Sequence, residues 1–156
     1  MPPSFHPDLE FIDLKPSALK ITLPFASSLV AAGFPSPADD HLDNSLDLTE
    51  LLIECPAATF FVRATGKSMQ GVGILEGDIL VVDRSKDPIN DSMVIAAVDG
   101  ECLVKIYRTD GKRVWLQSAN PLFPALSINQ ESDFQVWGVV TGVARKHGRN
   151  GRVCPN

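Results

Sequence analysis

The hydrophobic positions of this chain fall into short runs with the spacing of strands. Thr59–Ala64, Ile79–Asp83, Met93–Val98, Cys102–Tyr107, Val114–Gln117 and Phe134–Val140 are rich in Val, Ile, Phe, Tyr or Trp and are separated by polar turns. Asp99-Gly100 and Asp110-Gly111 sit between successive runs as hairpin turns. One helical pattern interrupts the series. Asp47 and Glu50 have capping-box spacing, Leu48, Leu51 and Leu52 form an i, i+3, i+4 stripe, and Pro56 ends the segment. Strands this short and close, without helices between them, predict a mainly β protein: a compact antiparallel barrel or folded sheet with one short helix.

Residues 1–45 read differently. They hold Pro2, Pro3, Pro7, Pro16, Pro24, Pro35 and Pro37, which block helices and central strands. Ile12, Leu14, Leu19, Ile21, Leu23, Phe25, Leu29 and Val30 are nevertheless too apolar for a free disordered tail. The combination predicts an extended N-terminal arm that lies on a surface.

At 156 residues the chain is long enough for one real core, and 44% hydrophobic with 21% charged residues describes a globular protein. A net charge of −5 argues against direct, sequence-specific DNA binding by phosphate neutralisation. The basic cluster Arg145, Lys146, Arg149 and Arg152, interspersed with Gly148, Asn150 and Gly151, reads as a solvated tail. Cys55, Cys102 and Cys154 form no CxxC pair and His6, His41 and His147 are scattered, so neither a disulfide framework nor a metal site is expected, and no cofactor. No apolar run is long enough to span a bilayer and the N-terminus lacks a basic n-region, so a cytoplasmic protein without membrane attachment is expected.

Two residues carry candidate chemistry. Ser68 follows an apolar run in a glycine-rich turn with Gly66, Gly71, Gly73 and Gly77, where a small nucleophile can be presented and nearby N–H groups can bind an anion. Alternation in Cys102–Tyr107 puts Lys105 on one face with Leu103 and Tyr107, where desolvation favours the neutral amine. The competing reading is an edge-strand lysine that snorkels to water. A neutral lysine can act as general base for a serine, but bringing it from about 10.4 to about 7 takes roughly 4–5 kcal/mol. Lys67 adjoins Ser68, yet neighbours in an extended chain point to opposite sides, so its side chain is not the candidate base.

Gly66-Lys67-Ser68-Met69, then Gly73-Ile74, Glu76-Gly77-Asp78 and Leu80-Val81-Val82-Asp83, resembles the nucleophile region of the LexA/UmuD-type self-cleaving serine peptidases. Val98-Asp99-Gly100-Glu101-Cys102-Leu103-Val104-Lys105 resembles their lysine strand, and Ala31-Ala32-Gly33-Phe34-Pro35-Ser36-Pro37-Ala38 the cleavage segment of the UmuD branch. Weaker similarity continues through Ser118-Ala119-Asn120-Pro121 and Val136-Trp137-Gly138-Val139-Val140. The resemblance implies Ser68 as nucleophile, Lys105 as general base, Ala32–Gly33 as the scissile bond and the backbone N–H groups of Lys67 and Ser68 as oxyanion hole. It divides the chain into an arm removed by self-cleavage (1–32), a linker (33–45), a Ser-Lys peptidase-like β domain of the LexA/UmuD-type fold (46–143) and a flexible basic tail (144–156).

The physics of the cleavage segment agrees: Ala31 and Ala32 need only a shallow pocket, Gly33 allows close backbone approach, and Pro35 and Pro37 keep the following chain extended. With only about 32 proline-interrupted residues ahead of the cut, a DNA-binding repressor domain is not expected. The resemblance further implies a homodimer, activation by a RecA–single-stranded DNA filament, and a product that serves a Y-family translesion polymerase in SOS mutagenesis. One departure stands out: the family commonly has an acidic residue three positions after the nucleophile, where this chain has Gly71. The rival readings are a signal-peptidase-like processing enzyme, which would need a membrane anchor, and a dimeric polymerase scaffold with an idle dyad.

Overall fold

A computed structural model describes residues 9–12, 23–25 and 44–147. In chain order its elements are β1 (Leu9–Ile12), β2 (Leu23–Phe25), β3 (Asn44–Leu46), α1 (Leu48–Leu52), β4 (Thr59–Ala64), β5 (Ile79–Asp83), β6 (Met93–Val98), β7 (Glu101–Thr109), β8 (Val114–Gln117), β9 (Leu126–Ile128) and β10 (Phe134–Ala144). The chain divides into two units, residues 15–54 and the remainder.

In the smaller unit β2 pairs antiparallel with β3, Leu23 opposite Leu46. Helix α1 is capped by Asp47, whose carboxylate accepts from the N–H groups of Thr49 (2.7 Å) and Glu50 (3.4 Å). The helix stops at Leu52, short of Pro56, which instead opens a single 3-10 turn over Pro56–Ala58. Its leucine stripe is not a buried face: Leu48 and Leu51 are exposed.

The larger unit is built on one antiparallel sheet in the order β1-β4-β5-β10-β6-β7-β8-β9. The mainly β architecture expected from the alternation is therefore observed, and the sheet curls enough to bring β1 near β7. Residues 9–12 of the arm form a true strand, pairing Leu9 with Ala64 and Ile12 with Phe61 along the outer edge of β4. The Asp99-Gly100 hairpin has positive φ at both residues (50° and 85°), the geometry of a two-residue turn whose twist matches its strands. At the second hairpin Thr109 faces Val114 across a four-residue loop, and Asp110 receives the N–H groups of Lys112 and Arg113.

The long strand β10 lies between β5 and β6 and carries irregularities between Val136 and Gly138 and between Val140 and Gly142, which bend it between its two neighbours. Gly138 permits that approach, because a Cβ there would meet Val82 Cγ1 at 2.7 Å and the Asp83 carbonyl at 2.9 Å. Two apolar clusters occupy the two faces of β6. Ile95 joins Val62, Met69, Leu80, Cys102, Val104 and Ile106, whereas Val94, Ala96 and Val98 join Leu116 and the half-buried Leu103 and Tyr107. Burial on both faces is why Met93–Val98 reads as a continuous apolar run. Among the described residues no helix is long and apolar enough to cross a membrane, and no group of three or more His, Cys, Asp or Glu is placed to hold a metal.

Candidate active site

Ser68 sits in the loop that joins β4 to β5, and the base of that loop is closed by its own backbone. The Ala64 N–H donates to Asp78 O (2.8 Å) and the Gly77 N–H to Ala64 O (2.6 Å). Within the loop the Met69 carbonyl accepts from Val72 (3.2 Å) and Ile74 (3.3 Å). The Met69 and Ile74 side chains, both buried, plug the first core cluster and fix the turn on either side. Ser68 itself is 6% exposed, whereas Lys67 is exposed; the segment is a turn rather than extended chain, so this contrast comes from the turn and not from strand alternation.

The far side of the loop is clamped by charge. Asp78, 1% exposed, accepts from the Leu75 N–H (2.7 Å) and from Arg145 Nε (2.5 Å) and Nη2 (2.6 Å), and Arg145 Nη2 also donates to the Gly73 carbonyl (2.6 Å). The Arg145 hydrogen bond, ahead of the opposing effect of burial, holds the Asp78 carboxyl below its ordinary range. Arg145 is thus not part of a solvated tail: β10 runs through Ala144, and Arg145 pins the loop that carries Ser68. Its partner lies far away in sequence, which local composition could not reveal.

Lys105 is half-buried on β7, flanked by the buried Val104 and Ile106. Its Nζ donates to the hydroxyl of Ser118 at 2.8 Å and lies 5.6 Å from the centre of the Phe123 ring. The register explains the pairing: Ile106 faces Gln117 and Tyr107 faces Leu116, so one further step toward the β7 start sets Lys105 opposite Ser118. Ser118 is 7% exposed. Among the described residues no hydrogen bond joins Lys105 directly to Ser68.

What connects the two is the segment that follows β8. Ser118 receives Lys105, the Ala119 carbonyl accepts the Gly71 N–H (2.7 Å), and Asn120 Nδ2 donates to the Lys67 carbonyl (3.0 Å). Asn120 Oδ1 meanwhile accepts the Leu122 N–H (3.0 Å), which leaves its amide one orientation that satisfies both ends. Three successive residues therefore bind the lysine strand at one end and the serine turn at the other, across a span of roughly 7 Å set by two Cα–Cα steps. Gly71 is integral to this seam. A Cβ there would lie 2.1 Å from the Ala119 carbonyl oxygen, so the acidic residue common in the family has no room in this arrangement.

Cys102 is buried and its thiol is pushed up to about 11 by desolvation, which removes it as a competing nucleophile. The expected cleavage positions Ala32 and Gly33 lie outside the described residues. Ser118 and Asn120 entered the sequence reading only within a similar stretch; counting the β7–β8 register back from the Asp110 turn would have singled out Ser118.

The peptidase S24-like family model matches residues 24–141, which includes the whole serine loop, the lysine strand and the connecting segment. The chain belongs to that family. It is 42% identical to the protein SamA of Salmonella typhimurium over 125 residues, covering 80% of this chain and 86% of SamA. It is 37% identical to MucA of Escherichia coli over 129 residues (81% of this chain, 86% of MucA) and 50% identical to ImpA of Escherichia coli over 82 residues (53% and 57%). With these relatives, this S24 member is a UmuD-like protein within the LexA/UmuD group.

Proposed function

We propose that this chain is a self-cleaving SOS-mutagenesis protein that cuts its own Ala32–Gly33 bond with Ser68 as nucleophile and Lys105 as general base. The observation that carries the reading is the Ser118–Asn120 segment, which ties the amine of Lys105 and the turn of Ser68 into one hydrogen-bonded unit. Lys105, as the neutral amine, takes the hydroxyl proton as Ser68 Oγ attacks the carbonyl carbon of Ala32. The N–H groups of Lys67 and Ser68 receive the oxyanion. The resulting ammonium returns its proton to the Gly33 nitrogen as the C–N bond breaks, and water then hydrolyses the Ser68 ester. Because the substrate is tethered, a modest catalyst suffices.

The arm, residues 1–32, leaves, and residues 33–156 form the active product, a homodimeric accessory subunit of a Y-family translesion polymerase in the cytoplasm. A RecA–single-stranded DNA filament acts by binding the cleavage-competent state preferentially. The scaffold reading with an idle dyad has one observation in its favour, that Lys105 meets Ser118 rather than Ser68. Incubation of purified protein with RecA, nucleotide and single-stranded DNA separates the two. Self-cleavage gives a 33–156 fragment that Ser68→Ala abolishes; intact chain under those conditions and at alkaline pH supports the scaffold.

A further inference from the structure

We infer that Ser118 is a positioning residue for the base, fixing the Lys105 amine so that its lone pair is presented to Ser68. The inference rests on the self-cleavage reading and adds to it a residue that composition and spacing did not single out. A lysine amine at the end of a four-carbon stem has many rotamers, and a base that can point anywhere is rarely in line with its acid. The 2.8 Å bond to Ser118 takes one Nζ–H along the cross-strand direction. That bond and the lysine stem each restrict where the amine can point, beside the Phe123 ring whose centre is 5.6 Å from Nζ.

Ser118 is suited to the task because it is itself fixed. It is 7% exposed, it stands directly after β8 and two positions past the buried Leu116, and its two successors are locked to Gly71 and Lys67. The residue that holds the amine is therefore directly followed by the two that hold the serine turn. A hydroxyl also suits the proton cycle. It accepts from Nζ whether the amine is neutral or charged, and so remains in place as the proton arrives and departs. An oxygen acceptor favours the charged form, so removing the hydroxyl should lower the pH at which the amine titrates.

Two substitutions and two readouts test the assignment. In full-length protein, self-cleavage is followed against pH for wild type, Ser118→Ala and Ser118→Thr. Ser118→Ala is expected to lower the alkaline plateau about 10–100-fold, the scale of a misplacement near 1 Å, and to move the inflection to lower pH. Ser118→Thr, which retains the hydroxyl, is expected to recover most of the rate and the original inflection. A wild-type profile for Ser118→Ala, a lower plateau with an unmoved inflection, or equal damage by alanine and threonine would overturn the role.

The second readout needs no cleavage. In the Ser68→Ala background, NMR of ε-13C-labelled lysine follows the titration of Lys105 with and without Ser118→Ala. A lower Lys105 midpoint without the hydroxyl supports the inference, and coincident titrations refute it even if the intact chain never cuts itself. Uncut wild-type protein with a displaced Lys105 titration would instead count against the self-cleavage reading alone.

Discussion

Substituting Gly71 with alanine perturbs the seam between the nucleophile turn and the segment after β8 without touching Ser68 or Lys105. Gly71 does not occupy the left-handed region, so alanine meets no backbone strain and acts only through its added carbon. That carbon would sit 2.1 Å from the Ala119 oxygen, and real contacts of this kind essentially never fall under 3.0 Å, so the two sides of the seam must separate by about 0.9 Å. The 2.7 Å bond from the Gly71 N–H to Ala119 lies directly in that gap. Its loss lowers stability by about 1 kcal/mol, against a total of about 5–15 kcal/mol for a domain.

The rate effect is expected to be larger than the stability effect. A displacement near 1 Å between reacting groups can lower a rate about 100-fold, equivalent to roughly 2.7 kcal/mol of barrier. Self-cleavage at alkaline pH, quantified on gels alongside urea unfolding, should show Gly71→Ala about 10–100-fold slower with a stability loss of about 1 kcal/mol. Gln70→Ala, at an exposed neighbouring position, should leave both near wild type. A Gly71→Ala protein that cuts itself at the wild-type rate would refute the view that this seam sets the distance between turn and base.

Two further outcomes follow from the clamp and the arm. Asp78 titrates below the ordinary value of 3.8, so its ionised form contributes stability that is present above about that pH and is lost as pH falls through the lower folded value. Asp78→Asn should therefore lower stability at neutral pH and flatten the acid limb of the urea midpoint plotted against pH; parallel acid limbs would contradict the Arg145 clamp. A chain beginning at Gly33 lacks β1, so alternate β4 amides lose their partners and should exchange faster with deuterium than in the intact protein, while those of β6 stay protected. Equal β4 exchange in both chains would mean that β1 does not cover this edge.

The strands that build the site were legible because alternation and turn chemistry are local properties. Met93–Val98, Cys102–Tyr107 and the Asp99-Gly100 turn carried enough information to place Lys105 on its strand. The strands β1, β2, β3 and β9 are three or four residues long, and β2 contains Pro24; their strand character comes from the partner edge rather than from their own pattern. Leu48 and Leu51 had helical spacing, but spacing does not say what covers a face, and both remain exposed.

At the site, Ser68 and Lys105 could be nominated from type and motif, whereas the groups that hold them could not. Arg145 meets Asp78 only after β10 has crossed the sheet beside β5, and its glycine-rich, basic surroundings pointed to solvent instead. Ser118 acquires meaning from a register that depends on the length of the Asp110 loop. Gly71, a departure from the family pattern in sequence, becomes a steric requirement once Ala119 is beside it.

N-terminal sequencing of the product formed by wild-type and Ser68→Ala protein, under RecA filament or alkaline conditions, tests the self-cleavage claim most directly. A wild-type product beginning at Gly33, absent from Ser68→Ala, is the expected result. A different first residue, or the same fragment from both proteins, would contradict it.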